Sequence, residues 1–73
     1  TLDERLSALG TAIAAARARL AGEQGFENVE IGDLLAAIND DFEGVETGDE
    51  AAAHGHLDVI EGRLAGVAAR IKE

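Results

Sequence analysis

Leu2, Leu6, Leu9, Ile13, Ala16 and Leu20 follow one another at intervals of 4, 3, 4, 3 and 4 residues, and Ala53, Leu57, Ile60, Leu64, Val67 and Ile71 repeat the same intervals. Alternating steps of three and four keep side chains on one stripe of an α-helix, which turns once in about 3.6 residues. A half-buried strand needs strict alternation, and the chain has no such run. It has no proline to interrupt either stripe. The two stripes predict helices over about 2–22 and 48–72, each apolar on one side and therefore obliged to bury that side against a neighbour.

A shorter stripe, Ile31, Leu34, Leu35, Ile38 and Phe42, predicts a middle helix over about 29–43. The punctuation agrees. Thr1 with Glu4, and Thr47 with Glu50, have the spacing of a capping box, in which side chain and backbone satisfy each other's orphaned groups. Asn28 suits the N-cap of the middle helix. Gly22 and Gly25 suit termination of the first helix through a positive φ, and Gly44 suits the position just past the second. Arg17 and Arg19 sit in the last turns of helix 1, where cations are favoured by the negative end of the helix dipole. The expected fold is all-α: one domain over 1–73, an antiparallel three-helix bundle with coiled-coil-like heptad packing, two long helices and a shorter middle one. At about 1.5 Å per residue the outer helices run roughly 30 to 36 Å and the middle one roughly 22 Å, so the ends of helices 1 and 3 are expected to expose apolar surface.

A single core of this size supplies only about 3 to 5 kcal/mol unless a staple or an oligomer adds to it. Cysteine is absent, and alanine makes up 15 of the hydrophobic residues, so the core is expected to be narrow and aliphatic. No apolar run approaches the ~20 residues of a membrane span, and no basic segment leads into an apolar block as in a signal peptide. Those readings make a cytoplasmic location the expectation. The opening Thr1, in place of methionine, suits a domain taken from a longer protein.

Charge is distributed unevenly. Between Leu20 and Gly62 stand twelve carboxylates and no lysine or arginine, so the net charge of −9 divides into −12 across that window and +3 over the two ends. Several of these acids belong where they are, for example Glu30 and Asp33 early in helix 2 and Asp49 and Glu50 at the start of helix 3. Asp40, Asp41, Glu43 and Glu46 do not, because they crowd the negative end of helix 2. In an up-down-up bundle they share a pole with Asp3 and Glu4, while Arg17, Arg19, Arg63, Arg70 and Lys72 are expected toward the other pole with Glu23, Glu27 and Glu30. The four crowded acids are a candidate site for a basic protein surface.

A second candidate lies on helix 3. Gly55, Val59, Gly62, Gly66 and Ala69 form a stripe about 200° round from the core stripe. Such a small-residue face permits close approach of another helix backbone, as in G-x-x-x-G pairs, here Gly62 and Gly66. Gly55, Val59, Gly62 and Gly66 are therefore expected to pack on a partner, with a homodimer as the simplest case.

Residues 39–50 align with the twelve-residue loop of an EF-hand: Asp41 falls at its third position, Gly44 at its sixth, Thr47 at its ninth and Glu50 at its twelfth. The segment resembles that family, which implies a divalent-cation-responsive module. It departs from the pattern at Asn39, Glu43 and Glu46, in the first, fifth and eighth positions. Leu34 to Glu50 is also similar to the helix and acidic turn of acyl carrier proteins, but no Asp-Ser-Leu attachment serine precedes it, so no carrier function follows.

Catalytic chemistry has little to stand on. Tyrosine and cysteine are absent, Ser7 is the only serine, and no glycine-rich phosphate loop follows a strand. His54 and Asp58 stand one turn apart on helix 3, and they and His56 read as surface residues rather than metal ligands. Six basic residues placed at the ends make a poor phosphate-binding surface, and the helices lack the basic faces and aromatic anchors of membrane-surface helices. Neither nucleic acid nor membrane is expected as a partner, and no cofactor is expected. The function expected is that of a non-enzymatic protein–protein interaction or assembly module, with the cation-responsive module as the second reading.

Overall fold

The computed structural model of the protein describes residues 1–22 and 27–71, and the side chains of all of these except residues 27 and 28. Three helices account for most of them: α1 (Leu2–Ala21), α2 (Glu27–Glu43) and α3 (Glu50–Ile71). Each packs against both of the others. Arg5 near the start of α1 reaches His54 and Asp58 near the start of α3, so α1 and α3 run parallel. Phe42 at the end of α2 packs against Gly10, and Leu20 at the end of α1 lies against Gly32, so α2 runs antiparallel between them. The result is an up-down-up three-helix bundle measuring 41 × 17 × 16 Å, with room inside for one file of side chains along its axis.

That file is the set of stripes read from spacing. Leu2, Leu9, Ile13 and Ala16 of α1, Ile31, Leu35 and Ile38 of α2, and Ala53, Leu57, Ile60, Leu64, Val67 and Ile71 of α3 are all buried. Leu6, Leu20, Leu34 and Phe42 cover the cluster from its edges. Leu57 and Ile60 expose 0 %, which makes α3 the wall shared by both other helices. No polar side chain among the described residues is buried.

The helix ends correct several expectations. The capping box at Thr1 forms, with Thr1 Oγ1 accepting from the Glu4 amide at 3.2 Å and the Glu4 carboxylate accepting from the Thr1 backbone nitrogen. Helix α2 begins at residue 27, so Asn28 is a helical residue rather than the cap. Thr47 and Glu50 do not form a box. Asp49 caps α3 instead, its Oδ1 accepting from the Ala52 amide at 3.2 Å and its carbonyl from Ala53 at 2.9 Å. Aspartate is the stronger cap of the two, and its use starts the helix at Glu50 rather than 48. Gly22 closes α1 at φ −85°, and Gly44 likewise has no positive φ, so neither helix ends in a left-handed turn. Gly25 lies outside the described residues.

The expected exposed groove also fails to appear. After Gly44 the chain turns so that Val45 packs against the core, and Leu2 and Ala53 at the same pole are 7 % and 1 % exposed. At the other pole Val67 and Ile71 are buried too. Among the described residues Val29 and Val59 are the exposed large hydrophobics, and no described helix is long and apolar enough to cross a membrane.

Because Leu57 is enclosed on every side, Leu57→Ala should cost about 2 to 5 kcal/mol, comparable with the whole stability expected of a domain this size. Circular dichroism should find that variant largely unfolded at room temperature. Val59→Ala, at a position 59 % exposed, should melt close to the parent chain.

Candidate functional site

Two surfaces were singled out by sequence, and the fold treats them differently. The first is the acidic end of α2. Asn39 to Glu43 remain helical, so the first five positions of the supposed cation loop point around a helix instead of wrapping a centre. Asn39 Nδ2 donates to Glu43 Oε2 at 2.9 Å, within the same turn. No group of three or more acidic or histidine side chains among the described residues converges as metal ligands.

Asp41 leaves the acidic group altogether. Its Oδ1 lies 2.8 Å from His56 Nε2 and its Oδ2 accepts from Arg63 Nη1 at 3.1 Å, so it ties α2 to α3. Arg63 was expected at the opposite pole, but one helix turn advances only about 5.4 Å, and a long side chain at mid-helix reaches the end of the shorter α2. Arg70 does lie at the mixed pole, with Nη2 3.4 Å from Glu30 Oε1. Lys72 and Glu23, expected there as well, lie outside the described residues, as does the side chain of Glu27. Of the four crowded acids, Asp40, Glu43 and Glu46 are exposed, Glu43 with a surface hydrogen bond from Asn39, and Asp41 is committed to the bundle.

A second polar tie joins α1 to α3. Arg5 Nη2 donates to Asp58 Oδ1 at 2.7 Å and to Glu61 Oε1 at 2.9 Å, while Nη1 meets His54 Nδ1 at 2.8 Å and the His54 carbonyl at 3.3 Å. The Asp58 hydrogen bond, with the Glu61 charge behind it, holds the Arg5 guanidinium above its ordinary range. Reading by sequence missed both ties. The signal available was position: Arg5, His54, His56 and Glu61 flank the core stripe by one residue, where cross-helix charges of bundles gather. Histidines read as surface groups are thus engaged between helices, and Ser7 is exposed on α1.

The second surface is the outer face of α3. Gly55, Val59, Gly62, Gly66 and Ala69 are all exposed, and none of them carries charge. A methyl group added at Gly55, Gly62 or Gly66 would meet nothing within 4 Å. The contrast with the seam between α1 and α2 is direct. There a methyl at Gly10 would press on the Phe42 ring at 3.4 Å, and one at Gly32 would touch Leu20 at 3.5 Å. Gly10 and Gly32 thus have a neighbour inside the chain; Gly55, Gly62 and Gly66 have none within 4 Å.

No family model matches this chain, and neither a curated protein nor a solved structure matches it.

Substitution separates the two adjacent aspartates. Asp40→Asn removes a charge that opposes the helix dipole and should stabilise by about 0.5 kcal/mol. Asp41→Asn weakens a two-partner tie between helices and should destabilise by about 1 kcal/mol. Paired thermal melts at low salt check the opposite signs.

Proposed function

We propose that this chain is a non-enzymatic assembly module that packs on a second copy of itself through the outer face of α3. The observation that carries the reading is the open space around Gly55, Gly62 and Gly66. A glycine inside a helix costs about 1 kcal/mol relative to alanine, so three of them consume most of the roughly 3 to 5 kcal/mol that one small core supplies. Gly10 and Gly32 lie against Phe42 and Leu20; the three on α3 lie against nothing within the chain. A helix backbone approaching closely from outside would offset that cost.

Close approach requires small residues on both partners, which favours a second copy over an unrelated surface. A two-fold pair presents the same stripe twice, and Gly55, Val59, Gly62, Gly66 and Ala69 then meet their own equivalents. A basic protein surface has weaker support as the partner, since Asp41 is already engaged by His56 and Arg63 within the chain. The cation-responsive reading has no observation in its favour.

Sedimentation equilibrium tests the proposal. The parent chain is expected to populate a dimer, and Gly62→Gln with Gly66→Gln is expected to weaken it at least tenfold while leaving the monomer more stable by about 1 to 2 kcal/mol, glutamine being the better helix former. A parent chain that stays monomeric at its highest soluble concentration overturns the reading.

A further inference from the structure

Two opposite charges border the outer face of α3, one along each edge. At about 100° per residue, Asp58 lies about 60° to one side of Gly55 round the helix and Arg63 about 80° to the other. Each is tied within its own chain through one atom: Asp58 Oδ1 accepts from Arg5 Nη2 at 2.7 Å, and Arg63 Nη1 donates to Asp41 Oδ2 at 3.1 Å. Oδ2 of Asp58 and Nη2 of Arg63 have no partner among the described residues, and the two side chains are 70 % and 45 % exposed. Both stay open to a group approaching the face from outside.

We infer that the self-pair on this face is parallel and in register, with Asp58 of each copy bonded to Arg63 of the other. This orientation rests on the self-association proposed above and adds what the small residues cannot decide, since glycine and alanine admit a second helix either way round. Symmetry supplies the discrimination. A two-fold axis running along two parallel helices lays the left edge of one face against the right edge of the other, so the Asp58 edge meets the Arg63 edge twice. An axis running across two antiparallel helices lays each edge against its own copy. Centred on Gly62, such a pair sets the two Arg63 residues only about 3 Å apart along the helix axis and the two Asp58 residues about 12 Å apart. Like charges then gather on both edges, and edge charges of this kind set orientation in paired helices. In the parallel pair the step from Asp58 to Arg63 amounts to about 7.5 Å along the axis. Helical side chains lean toward the N-terminus, so the long Arg63 side chain reaches back over that distance toward Asp58 of the other copy. Arg70 shares the Arg63 edge, but the position facing it is the uncharged Ala65, and it keeps Glu30 at 3.4 Å.

The chain has no cysteine, so one introduced on the face reports which positions meet. Gly55→Cys and Ala69→Cys chains are equilibrated, alone and mixed, in a glutathione redox buffer at a concentration where the parent chain is dimeric. Each is expected to form a disulfide with its own kind. The mixed disulfide is expected to be scarce, because the two positions lie about 21 Å apart along a parallel pair. A mixed disulfide as abundant as the symmetric ones, or more so, overturns the parallel orientation and leaves self-association standing; a parent chain that sediments as a monomer overturns both. Sedimentation of Asp58→Asn, Arg63→Gln and the double variant, each first shown by circular dichroism to be folded, reads the charge pair itself. Either single substitution should weaken the dimer about two- to fivefold. The double variant should be no weaker than the weaker single, because both remove the same bond. Singles without effect, or effects that multiply in the double variant, overturn the pairing.

Discussion

Everything in this bundle leans on the buried stripe of α3. Six of its residues, from Ala53 to Ile71, face inward, and Leu57 and Ile60 among them have no exposed surface. The other two helices pack on this wall from either side and on each other. With cross-sectional extents of 17 × 16 Å, the molecule encloses one file of aliphatic side chains and no polar group among the described residues. A core so thin has no reserve layer, and dispersion and hydrophobic contacts at a few positions carry most of the favourable energy.

A thin core places unusual weight on what flanks it. The two polar ties stand on opposite edges of α3: Arg5 with His54, Asp58 and Glu61 toward α1, and Asp41 with His56 and Arg63 toward α2. All are half-buried or exposed, so solvent screens each pair and none is strong by itself. They join α3 to α1 along one edge and to α2 along the other. They also spread the negative charge of the middle of the chain across the bundle, by drawing Asp41, Asp58 and Glu61 onto arginines from the ends.

The outer face of α3 contrasts with the inner one. Gly10 lies beneath the Phe42 ring, which a methyl group there would just touch. Gly55, Gly62 and Gly66 have no such neighbour, and their helical cost stands unexplained by the single chain. That imbalance, more than the acidic composition, is what directs attention to the surface.

The stripes were legible in the residues themselves, because a period near 3.6 leaves the same trace in sequence as in space: Leu9, Ile13, Leu35, Ile38, Leu57 and Ile60 are buried where spacing put them. The cap at Thr1 was legible for a similar reason, its partners being three residues apart. The start of α3 was less so, since Thr47 and Asp49 both suit a cap and it is Asp49 that accepts from the Ala52 amide. The meaning of the acidic run was not legible at all. Asp40 and Asp41 are chemically identical neighbours, yet one faces solvent while the other holds His56 and Arg63, residues far along the chain. Sequence alone therefore determined the helices, their inner faces and the small outer face of α3, all of which follow from short-range periodicity. Tertiary structure alone decided which charges are paired and which glycines are idle, because both depend on what another helix brings within a few ångströms.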